Sequence, residues 1–173
     1  MLLSYVVHPI PAVKSSVERI ILDGICQYLS ESHITITSSI ITKFIYNYQS
    51  GADLPSEIVA ITAAQMLARI LPILGEAIKA QLDELLGALL PALEKDSAEL
   101  QTTVIRSLVQ MGLTDASIIE VMIKQLVLHL DRHMAVIRSA ENEAQRREIV
   151  QCDMLTGYCK AIGELVVLLF TSM

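Results

Sequence analysis

Leu67-Ala68-Arg69-Ile70-Leu71-Pro72-Ile73-Leu74 returns as Leu86-Gly87-Ala88-Leu89-Leu90-Pro91-Ala92-Leu93, 19 residues later (91 minus 72). Each copy is an apolar helical stretch with proline at the same place. Proline lacks the backbone N–H and crowds the carbonyl four residues back, so it bends or ends a helix. Two such helices of similar design predict an all-α fold of stacked antiparallel helical hairpins.

Working outward, apolar residues recur at helical spacing through most of the chain. Val13, Val17, Ile20, Ile21, Ile25 and Leu29 predict a helix over about 13–30. Ile34 to Thr42 is rich in β-branched residues and reads as a strand on propensity alone. Its positions Ile34, Thr37, Ile41, Phe44, Ile45 and Tyr48 also fit one helix face, and no partner strand exists elsewhere, so a helix is expected. After the loop Gly51-Ala52-Asp53-Leu54-Pro55, further helices are expected over about 56–70, 80–94, 99–111, 116–130 and 147–170. Pro72 is expected to bend or end the first of these, Gly75 to help the chain turn, and Gly112 to stop the third. The polar stretch 131–146 reads as a long loop or as the solvated start of the last helix. That makes about seven helices joined mostly by short turns, and short connections force antiparallel neighbours.

Hydrophobic residues make up 53% of the 173 and charged residues only 18%, against about 25% in an average soluble domain. Every long apolar stretch is broken by charge before the roughly 20 residues a membrane span needs, so no span is expected. The surplus instead fits a slice of an α-solenoid, whose uncapped ends leave apolar faces bare. The apolar end Leu168 to Met173 reads the same way, as an interior helix cut short. The start, Met1 to Val7, has no basic residue before its apolar run and is followed by His8-Pro9, so no targeting segment is read there. A net charge of −6 argues against a nucleic-acid footprint. Cys26, Cys152 and Cys159 form no C-x-x-C pair and are expected to be buried free thiols in a reducing cytoplasm or nucleus.

Leu89-Leu90-Pro91-Ala92-Leu93-Glu94-Lys95-Asp96, followed by Leu100 and Val104 to Gly112, resembles a HEAT repeat, a member of the armadillo-like class. That family pairs a first helix carrying a late proline with a polar Asp-containing turn and a second helix ending at glycine. Pro91, Asp96 and Gly112 match. Gln101 stands near the place of the family's usual basic residue. The match is best over residues 79–112, with 115–168 a degenerate second unit, and 1–173 read as one helical domain or a segment of a longer array. The resemblance implies a short HEAT-like α-solenoid that acts as a non-catalytic protein–protein interaction scaffold, offering its turns and a concave helix face to a protein partner. It is expected to be cytoplasmic, with self-association through its apolar ends. Some HEAT arrays grip tubulin through such turns, which makes a cytoskeleton-binding module one alternative. A closed helical bundle with an internal ligand site is the other.

The residues expected to meet a partner are Lys95 and Asp96 in the best-matched turn, and Arg132, His133 and Arg138 in the polar stretch after Leu130. Glu141 to Arg147 is a further candidate interaction loop. No catalytic set is read. A nucleophile needs a base and an orienting group, and the serines and threonines of Ile34 to Thr42 have neither; they are expected to face solvent or bond backbone carbonyls. Asp83 and Glu84 are adjacent and diverge on a helix, which gives a solvated face. His129 and His133 are four apart, the spacing of two zinc ligands, but without a third ligand they read as a solvated helix end favoured by the dipole. No metal and no cofactor is expected.

Overall fold

The computed structural model describes residues 10–20, 38–43, 45, 57–95, 97–139 and 154–171. These are 93% helical and contain no strand. Helix α1 (Pro11–Arg19) begins with proline in its first turn, where the missing N–H costs nothing. Residues 38–43 and 45 are helical, so the described part of the β-branched run follows its apolar face rather than its propensity; residues 34–37 lie outside the described residues. The remaining elements are α2 (Glu57–Leu74), α3 (Ala77–Ala92), α4 (Ala98–Thr114), a short 3-10 turn (Ala116–Ile118), α5 (Ile119–Ser139) and α6 (Met154–Thr171).

Three local expectations are corrected. Of the two outcomes expected at Pro72, bending α2 or ending it, the second does not occur. The helix passes through it to Leu74, with Pro72 on the exposed side, and stops at Gly75, whose φ of +51° is the left-handed conformation glycine adopts without strain. Gly112 does not end α4, which continues to Thr114. It is a packing point: a Cβ there would lie 2.8 Å from Leu168 Cδ2 and 3.0 Å from Ile119 Cγ1. Residues 131–139 are neither loop nor the start of the last helix but the second half of α5. The apolar positions Ile119, Met122, Leu126, Leu130, Met134 and Ile137 continue at helical spacing, buried as far as Leu126 and half-buried beyond it, while the polar residues Asp131, Arg132 and Arg138 are exposed.

Helix α4 packs between α2 and α6, α5 packs on α6 and α3, and α3 packs on α4. The helices of the first group are parallel. Ser97 Oγ at the head of α4 donates to Glu57 Oε1 at the head of α2, and further along Ser107 Oγ donates to the Ala64 carbonyl at 3.1 Å. These pairs are 40 and 43 residues apart, so both helices advance together. Between α4 and α6 the approaches Gln101 to Gly157 and Gly112 to Leu168 share a separation of 56 residues (157 minus 101, 168 minus 112). The core runs through all of them: Leu67, Ile70 and Leu71 of α2, Leu89 of α3, Leu108 of α4, Leu126 of α5 and Leu165 of α6 are fully buried. By length and composition α2 is apolar enough to cross a membrane, and 61% of it is buried inside the fold, as a core helix is.

Candidate functional site

Two places in this fold gather polar side chains. The first lies where α3 ends. Its last carbonyls need partners, because no further helical turn supplies them. Gln101, buried in α4, donates through Nε2 to the Leu93 and Lys95 carbonyls at 3.1 and 3.0 Å. Ser97 caps α4 from the other side of the turn, its Oγ accepting from Leu100 N at 3.2 Å. Between these bonds the turn is tightly tied. Gly157 of α6 sits against it, and a Cβ there would lie 2.7 Å from the Leu93 carbonyl oxygen.

That close approach carries Tyr158, fully buried, onto the end of α3. Its hydroxyl donates to Glu94 Oε1 at 2.8 Å, with the Leu90 carbonyl at 3.2 Å as a second acceptor. His133 Nε2 reaches the same Glu94 oxygen at 2.9 Å. His129 Nδ1 lies 3.4 Å from the Tyr158 hydroxyl, with the two rings stacked at a centroid distance of 6.1 Å. Burial, and then the Glu94 carboxylate, push the Tyr158 phenol far above the ordinary tyrosine range, so it remains a donor. Burial, and then the Arg132 charge, lower the His129 pKa below 6.5, against the pull of Glu94. The four side chains form a satisfied polar seam joining α3, α5 and α6.

The seam corrects the reading of the histidines. They are not a solvated helix end, since α5 runs on to Ser139 and both rings are half-buried against Tyr158. The spacing of four does put them on one face, where they meet a tyrosine and a carboxylate. Among the described residues no group of three histidine, cysteine or acidic side chains is placed to hold a metal ion.

The second place is a groove across the α2–α4–α6 row, about 570 Å³ in volume. Its floor is one stripe of α4, Thr102, Ile105, Arg106, Val109 and Gln110, at the i, i+3, i+4, i+7, i+8 positions of one helix face. Ala68 of α2 forms one wall, and Lys160 and Glu164 of α6 form the other. A smaller cleft of about 280 Å³ lies between residues 42–43 and α3, lined by Thr42, Lys43, Asp83, Glu84 and Gly87. Beside it the hydroxyls of the 38–45 stretch bond across helices as well as locally: Ser38 to Gln81 and Ser39 to Glu84, each at 2.6 Å.

Of the expected partner-binding residues, His133 and Lys95 are brought near each other, since Glu94, which holds His133, is the residue before Lys95. Lys95 is half-buried in the tied turn, and His133 is engaged by Glu94. Arg132 is exposed beside His129, and Arg138 is exposed near the end of α5. Asp96 and the loop Glu141 to Arg147 lie outside the described residues, as do Cys26 and Cys152. Cys159 is exposed, which corrects its reading as a buried thiol. Sequence reasoning missed Arg106, Lys160 and Glu164 as groove residues. Helical spacing shows which α4 residues share a face, but the neighbour of that face depends on inter-helix register. Compared with family models, curated proteins and solved structures, the chain has no match.

Proposed function

We propose that this chain is a non-catalytic protein-interaction scaffold, a short HEAT-like α-solenoid that works in the cytoplasm and presents the face of alternate helices to a protein partner. The observation that carries this reading is the groove on three parallel helices drawn from alternate places in the chain. Each unit contributes one helix to such a row, and units of this class repeat every 40–47 residues. The separation of 40 to 43 residues between α2 and α4 supports that reading, and the 56 between α4 and α6 is that of an enlarged unit. The buried seam opens onto neither of the two clefts and serves to hold α6 in the row.

The test is a photo-crosslinking amino acid placed at Gln110 in the groove and, as a control, at Glu120 on the outer face of α5, each in full-length chain and irradiated in cell extract. The expected result is a discrete adduct from Gln110 that excess unlabelled chain removes and that Glu120 does not form. Equal labelling from both positions, or none from either, overturns the scaffold reading.

A further inference from the structure

We infer that the α2–α4–α6 groove is a docking site for an acidic amphipathic helix, an inference that rests on the scaffold reading and names its partner chemistry. The groove has the length of a short helix. Thr102 to Gln110 spans about two turns of α4, near 12 Å at 1.5 Å per residue. A helix laid beside it offers anchors at i, i+3, i+4 and i+7 over that same distance.

The floor supplies the apolar contact. Ile105 and Val109 lie one turn apart along α4, and Ala68 opposite them is small enough to leave the space open. Neither leucine nor phenylalanine anchors entering this space meet a buried polar group without a partner, since none is found among the described residues. The volume lies within the range of pockets that hold apolar side chains or small ligands.

The rim decides the sign of the partner. Arg106 of α4 and Lys160 of α6 are both exposed, and neither forms an ion pair with another described residue. Glu164 is the one carboxylate of the lining. The rim therefore carries one net positive charge, whereas the chain as a whole carries −6. At contact Arg106 and Lys160 select for carboxylates, while the net charge of −6 acts against an acidic partner only at long range, where salt screens it. Arg106 offers a planar fork that a carboxylate meets with two parallel bonds, and Lys160 offers a mobile point charge across the groove. A nucleic acid fits poorly, because two cations are too few to track a phosphate backbone and the floor has no aromatic ring for a base to stack on.

The experiment uses the full chain and three synthetic helical peptides. All share one leucine face, and they differ in the flanking positions, which are Glu, Gln or Lys. Binding is followed by fluorescence anisotropy at low and at physiological salt, with wild type and with the Arg106→Glu, Lys160→Glu double variant. Both positions are exposed, and circular dichroism checks that the variant keeps its helix content. The Glu peptide is expected to bind at least about tenfold tighter than the Lys peptide, to weaken as salt rises, and to lose its advantage to the Lys peptide in the double variant. Equal binding of the three peptides overturns the inference, as does no binding by any of them. So does a concentration-dependent dimer, seen by light scattering and abolished by the double variant, because a second copy of the chain then fills the groove. The crosslink at Gln110 separates the two failures. A competed adduct with no Glu-peptide binding removes the acidic helix and leaves the scaffold reading, and loss of both removes both.

Discussion

Helices α2 and α5 are of similar length, 18 and 21 residues, yet eleven residues of α2 are buried and only three of α5. Helix α2 lies along α4 with apolar side chains on nearly every turn. Helix α5 sits on α6 and α3 and turns Val121, Leu128 and Val136 outward. What α5 has instead is polar: His129 and His133, set into the seam with Tyr158 and Glu94. One helix is therefore held by area removed from water, which is non-directional, and the other leans on a few bonds that need their geometry intact.

The comparison is broken first by emptying the apolar side. Leu67→Ala removes a fully buried side chain from the middle of α2 and is expected to cost about 2–5 kcal/mol in urea unfolding. A loss below about 1 kcal/mol means α2 is not the core helix described here.

Next comes the polar side. Tyr158→Phe keeps the ring and deletes the donor to Glu94, and about 1–3 kcal/mol is expected from the carboxylate left without it. The loss is expected to shrink when Glu94→Ala is already present, a double-mutant cycle that isolates the bond, the Leu90 carbonyl remaining as the hydroxyl's other acceptor.

A third measurement follows the melting temperature from pH 7.5 downward. His129 has a lowered pKa in the folded chain, so below about pH 6.5 the unfolded chain binds the proton first. Stability is full above that pH and is lost as pH falls through the folded value. His129→Gln should flatten this part of the profile, and an unchanged slope would remove His129 as its source. The smallest effect belongs to the outer face of α5, where Leu128→Ala is expected to stay within about 0.5 kcal/mol.

Much of this fold is legible in the sequence because helical periodicity is local. Leu82, Leu85, Leu86, Leu89 and Leu90 declare α3 without any knowledge of its neighbours. The misreadings arise where a residue type carries two meanings. Gly112 has the composition of a helix stop and serves as a gap for Leu168. Asp131, Arg132 and Arg138 look like loop residues only when the stripe through Leu130, Met134 and Ile137 is not followed beneath them. Of the candidate sites, the pairing of His129 with His133 on one face is readable from spacing. That they face a tyrosine some 25 residues further on is not, and neither is a groove whose walls come from three helices.

The parallel row has a mechanical consequence. Because α2 and α4 lie parallel and are bonded at two points along their length, with α6 in close contact alongside α4, a pull along their axes loads those contacts together, in shear. A pull across the row peels one helix from the next and meets those contacts one seam at a time.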